Sequence, residues 1–136
     1  MRTHVEFRSD KFPTYGNEEE GVNYESGVYG KRLAEFLKMK LMQKGVVVSS
    51  MNDEDWGWRI DISHEGNYNL WIGCGHYQEY ENGFLCFVEP GKPFVRKWFK
   101  KIDVREPVEK IAAALDDILN NDNDVQSVKW WDDGQT

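Results

Sequence analysis

Cys74 and His76 in the run Gly73-Cys74-Gly75-His76, Cys86 further along and His64 upstream are the first residues whose types could do chemistry. Thiolates and imidazoles are the ligands of structural zinc and, when paired, the parts of a thiol nucleophile. The spacing supports neither use. Cys74 and His76 are neighbours on one side of a single strand, there is no CxxC pair, and His64 belongs at the far end of its strand from Cys74. GxSxG, GxGxxG, HExxH and Walker-type GK[ST] patterns are also absent. Carboxylates are plentiful instead, in Asp53-Glu54-Asp55 and at Glu79 and Glu81 of Tyr77-Gln78-Glu79-Tyr80-Glu81. Acids gathered from two loops can hold a hard cation, do acid/base work or meet a Lys/Arg-rich partner. No pair among them is singled out by spacing, so no catalytic residue, metal ligand or cofactor is assigned.

These groups are positioned by the strands around them. Residues 56–63 alternate Trp58, Ile60 and Ile62 against Arg59 and Asp61, the pattern of a half-buried strand. Glu65-Gly66-Asn67 turns the chain into a strand over 68–75, and 77–83 turns it again into one over 84–89. A first turn centred on Gly66 sets Trp58 opposite Cys74, Ile60 opposite Ile72 and Ile62 opposite Leu70. The second sets Ile72 opposite Val88, Cys74 opposite Cys86 and His76 opposite Phe84. One face is then a core of Trp58, Ile60, Ile62, Leu70, Ile72, Cys74, Phe84, Cys86 and Val88. The other carries Arg59, Asp61, Trp71, Leu85 and Phe87, with Gly73 and Gly75 leaving bare backbone beneath Phe87 and Leu85. The same register brings Asp53, Glu54, Asp55, His76, Glu79 and Glu81 to one rim of the sheet.

Around this meander the pattern predicts a short strand over 4–7 and a helix over 28–44, with Leu33, Phe36, Leu37 and Leu41 on one face and Gly45 as its stop. A further strand is expected over 46–50. Residues 93–102 place Phe94, Val95, Trp98, Phe99 and Ile102 on one helical face and Arg96, Lys97, Lys100 and Lys101 on the other. That reads as a short helix covering the core, though such a face could also lie on phosphate or an anionic membrane. A second long helix begins near Pro107 and carries Val108, Ile111, Ala112, Leu115, Ile118 and Leu119. A last strand over 125–131 puts Trp130 and Trp131 on opposite faces, and 132–136 reads as a frayed tail. The expectation is one α+β domain over 1–136, two-layered, with a mostly antiparallel sheet of five to six strands and two main helices on one face.

The chain has 136 residues, 17 of them basic and 24 acidic, for a formal net charge of −7. That charge is segregated: residues 27–45 and 92–105 carry +4 and +5, while 46–91 and 106–136 carry −7 and −6. An acidic central block repels phosphate and attracts bases. Nucleic acid is therefore not expected as a partner. No apolar run approaches the length of a membrane span, and MRTHVEFRSDK has no apolar leader core, so a cytoplasmic protein without membrane association is expected.

The segments FPTYGNEEEGVN, YGKRLAEFLKMKL, EDWGW, LWIGCG, LCFVEP and VKWW together resemble a family of small uncharacterised bacterial proteins. The resemblance implies a stand-alone soluble domain and carries over no catalytic residue. Size, acidity and the absence of enzyme motifs are similar in type to immunity or antitoxin proteins. The expected function is thus protein binding or inhibition, with the acidic rim and the Trp71/Leu85/Phe87 face engaging a basic protein. A small metal-dependent or acid/base hydrolase using the rim, and a small-ligand domain using the aromatic face, are the alternatives. A homodimer is another way to cover that face.

Overall fold

Alternation and turn chemistry become a sheet once the helical stripes cover one face. The computed structural model describes residues 1–14, 30–77 and 80–132. Along the chain it comprises β1 (His4–Arg8), α1 (Lys31–Gln43), β2 (Val48–Glu54), β3 (Gly57–Ile62), β4 (Leu70–His76), β5 (Gly83–Glu89), β6 (Phe94–Lys97), β7 (Lys100–Asp103), α2 (Arg105–Asn120) and β8 (Gln126–Trp131). Six strands form an antiparallel sheet in the order β2-β3-β4-β5-β1-β8, and β6-β7 form a separate two-stranded sheet. The fold is α+β.

Register follows the turns. Trp58 lies opposite Cys74, Ile60 opposite Ile72 and Ile62 opposite Leu70, while Ile72, Cys74 and His76 face Val88, Cys86 and Phe84, as expected. His64 fixes the first turn: its Nδ1 accepts from the Gly66 N–H at 3.0 Å, and its Nε2–H donates to the Tyr68 carbonyl at 2.6 Å. His64 is therefore a turn brace rather than a fourth metal ligand.

Leu33, Ala34, Phe36, Leu37 and Leu41 of α1 and Val108, Ile111, Ala112, Leu115, Ile118 and Leu119 of α2 are buried. They share one core cluster with Val5, Phe7, Ile60, Ile62, Leu70, Ile72, Cys74, Phe84, Cys86 and Val88. Each large aliphatic side chain so enclosed contributes about 1.5–3 kcal/mol. Trp58 is only partly buried against this cluster. α1 ends as its sequence predicts. Gly45 adopts φ 85°, and the Gly45 and Val46 N–H groups donate to the Met42 and Leu41 carbonyls, each at 3.0 Å, which closes the last turn. Its expected start at Val28 and the tail beyond Asp132 lie outside the described residues.

Three boundaries depart from the sequence pattern. β2 runs on to Glu54, so Asp53 and Glu54 are strand residues and only Asp55 and Trp56 form the turn. α2 starts at Arg105, ahead of Pro107, which sits in its first turn. The segment read as a basic helix over 93–102 is instead the β6-β7 hairpin, with Arg96 opposite Lys101 and Lys97 opposite Lys100. The helical spacing there was fortuitous. Val95 and Ile102 face each other and pack partly on the core, while Trp98 and Phe99 form the turn and project outward.

Candidate functional site

The sheet face turned away from the helices is paved with rings. β1 lies between β5 and β8, setting His4 opposite both Phe87 and Trp131. His4 stacks on Trp131 with centroids 4.4 Å apart and on Phe87 at 5.6 Å. Phe87 meets Trp71 edge-on at 5.6 Å and Trp56 at 5.2 Å. Trp56 in turn lies 5.8 Å from Trp71, and the Arg59 guanidinium covers Trp71 at 4.3 Å. The band crosses the sheet from β8 to β3.

Glycine makes this paving possible. A Cβ on Gly73 would come within 2.3 Å of the Phe87 ring, so the ring lies directly on the β4 backbone. A Cβ on Gly57 would come within 2.3 Å of the Cys74 carbonyl oxygen, so the β2-β3 turn can sit tight against β4 only with glycine there. That approach holds Trp56 over Trp71 and Phe87.

The charges on this face are mostly matched. Arg59 donates to Asp61 through Nε at 3.0 Å and Nη2 at 2.9 Å, and the Ser50 hydroxyl donates to the other Asp61 oxygen at 2.9 Å. Lys129 Nζ is 3.9 Å from the Glu6 carboxylate. Asp53 and Glu54 at the end of β2 and Asp55 in the adjoining turn are exposed, so the band runs from Trp131 to an acidic edge. Glu81 is exposed on the neighbouring loop, and Glu79 lies outside the described residues. His76 serves that loop: its Nε2–H donates to the Tyr80 carbonyl at 2.6 Å, and its ring meets Phe84 edge-on. Among the described residues, no three His, Cys, Asp or Glu side chains are grouped so as to hold a metal ion.

The thiols are enclosed. Cys74 and Cys86 are both fully buried and face each other across β4-β5. Burial pushes the Cys86 thiol well above its usual range, and the hydrogen bond with Cys74 adds to this. A thiol held protonated in the core is a poor nucleophile.

Arg59, Asp61, Trp71, Leu85 and Phe87, read from the sequence as one face, do share it. Trp56 joins them because the β2-β3 turn folds its ring onto Trp71 and Phe87, while His4 and Trp131 join through the pairing of β1 with β5 and β8, which local patterns do not give. Their signal was the parity of His4 in His4-Val5-Glu6-Phe7 and of Trp131 in Trp130-Trp131, which becomes useful only once β1 is known to pair with β5. Trp130 points the other way, its Nε1–H donating to Asp116 of α2 at 2.8 Å.

A hollow of about 290 Å³ lies among Glu6, Arg8, Tyr77, Tyr80, Ser127 and Lys129. Ser127 has φ 59°, and the β1-β8 register shifts nearby between Glu6 and Arg8. No helix among the described residues is long and apolar enough to cross a membrane. No protein-family model, curated protein or solved structure matches the chain.

Proposed function

We propose that this protein is a binding or inhibitor module whose ring-paved sheet face and adjoining acidic turn engage a basic protein. The observation that carries the reading is the uninterrupted band Trp131-His4-Phe87-Trp56-Trp71, which ends beside Asp53, Glu54 and Asp55. Large rigid rings supply binding area at low entropic cost, and acids at their edge select a cationic partner and speed encounter. Immunity-type inhibitors of basic toxins are one class with this requirement. The enclosed thiols and the braced His64 and His76 favour recognition over catalysis.

The test begins by capturing a partner with the wild-type chain, purifying it, and titrating it by calorimetry at low and high salt. Glu54→Lys/Asp55→Lys should weaken binding by about tenfold or more and flatten its salt dependence, with the thermal transition of the free protein retained. Unchanged affinity in that variant would reject the acidic turn as part of the interface. A second reading, a small-ligand site, rests on the 290 Å³ hollow rather than on the aromatic face from which the sequence suggested it. A ligand that competes with the captured protein would favour that reading.

A further inference from the structure

The β6-β7 hairpin combines three separate costs at one tip. Trp98 is 91% and Phe99 98% exposed, so two large rings stand in water. Trp98 also has φ 59°, a left-handed conformation that bulky residues rarely adopt and that Asn or Gly would normally supply in a two-residue turn. Behind the tip, Arg96 faces Lys101 and Lys97 faces Lys100, two like-charged pairs directly opposed across the strands. All four of these cations are exposed. Lys101 Nζ lies 4.2 Å from the centre of the Phe94 ring, but among the described residues Arg96, Lys97 and Lys100 form no ion pair. Local rules broken together at an exposed point mark a site shaped by something outside the fold.

We propose that this hairpin is an interfacial anchor that inserts Trp98 and Phe99 into the headgroup region of an anionic phospholipid surface. The chemistry is layered along the hairpin axis. The apolar apex comes first, with two successive cation pairs behind it, matching a bilayer whose acyl boundary lies beneath its phosphates. Anionic lipid would relieve the Arg96/Lys101 and Lys97/Lys100 repulsion while the rings leave water. Geometry allows the approach. The hairpin is held at its base by Val95, Ile102 and the Val104 N–H bond to the Pro93 carbonyl at 2.9 Å, leaving the tip free to project. It leaves the Glu89 end of β5, whereas the acidic turn lies at the opposite end of the strands, beyond Gly57, so the acids are kept from the lipid. A polynucleotide fits less well. The hairpin's cationic track is only four residues, followed in sequence by Asp103, Glu106 and Glu109, whereas a nucleic-acid strand is held by a longer run of phosphate contacts. Such anchoring is contact with a surface rather than a span. It stands independently of the sheet-face reading, because it uses none of those residues.

Co-sedimentation of the full chain with phosphatidylcholine vesicles, with and without phosphatidylglycerol, tests the proposal. Binding is expected only with the anionic lipid and should fall as salt rises. Lys97→Gln/Lys100→Gln should lower the partition coefficient by about 30-fold, given the attraction of each base to an anionic surface. Trp98→Ala/Phe99→Ala should lower it by about tenfold or more while leaving the thermal transition in place, since both rings are outside the core. The proposal fails if the wild type ignores anionic vesicles or if the tip variant binds them equally well. It also fails if a single-stranded oligonucleotide is retained through the tip while vesicles are not.

Discussion

The β2-β3 and β6-β7 hairpins both close on two-residue turns that carry a tryptophan, Asp55-Trp56 in one and Trp98-Phe99 in the other. In the first, Gly57 permits the close approach to β4, and the Trp56 ring folds back onto Trp71 and Phe87. The second has no glycine, so Trp98 itself takes the left-handed conformation and both rings point into water. Acids surround the first tip and bases the second. A turn serving only the fold would place its apolar atoms inward and its strain on glycine, as β2-β3 does. By that standard the β6-β7 tip reads as a recognition element, and the aromatic face beside the β2-β3 tip as a surface that the fold has already organised.

The comparison breaks most sharply at Gly57. Gly57→Ala puts a methyl group into the Cys74 carbonyl and should cost about 3 kcal/mol of unfolding free energy, at the upper end of overpacking penalties. Urea unfolding is the measurement, and a loss under about 1 kcal/mol would mean that the turn can relax away from β4 and that the aromatic band does not depend on it. Next comes Trp56→Ala, which removes ring contacts with Trp71 and Phe87 and should cost about 1.5 kcal/mol. Trp98→Asn should act in the opposite direction. Asn tolerates the left-handed turn, and the lost ring makes no core contact, so stability should rise by about 1 kcal/mol. If Trp56→Ala and Trp98→Asn move the urea midpoint the same way, the contrast between packed and projecting tips is wrong.

Legibility from sequence divides along the same line. The β3-β4-β5 register could be read because Gly66 and the 77–83 loop are local turn signals and the Trp58-Ile60-Ile62 alternation has a single buried phase. The stripes of α1 and α2 were legible for the same reason, their periods being unbroken over several turns. By contrast, Phe94 to Ile102 contains no Gly, Asn, Asp or Pro to announce a turn, and its apolar spacing satisfies a helix as well as a hairpin. Tertiary context decided it, with Val95 and Ile102 paired against the core. The aromatic band was half legible. Trp71, Leu85 and Phe87 follow from local register, but His4 and Trp131 reach it only because the first strand inserts between β5 and the last, a pairing across most of the chain that no short-range pattern encodes.

The smallest effect concerns how the basic hairpin is fixed to the body. Asp103 is the single acid among residues 92–105. Its carboxylate accepts from the Arg105 backbone N–H at 3.0 Å, from Arg105 Nε at 3.0 Å and from Nη2 at 2.6 Å, joining the end of β7 to the first residue of α2. Those bonds from Arg105 hold the carboxyl down at about 2, against an ordinary 3.8. The folded value is the lower one, so the contribution to stability is complete above the ordinary value and is lost as pH falls from there through about 2. The pair is exposed, so salt screening keeps that contribution small. Carboxyl NMR shifts should show Asp103 titrating at about 2, with the Arg105 amide shifting in step. Asp103→Asn should remove that transition while leaving the Trp71 and Phe87 resonances unmoved. A titration of Asp103 near 3.8 would mean that the Arg105 clamp is not held in solution, leaving the hairpin fixed to the body by Val95, Ile102 and the Val104–Pro93 bond alone. The basic tip would then be held less firmly than the acidic one, whose turn is seated directly against β4.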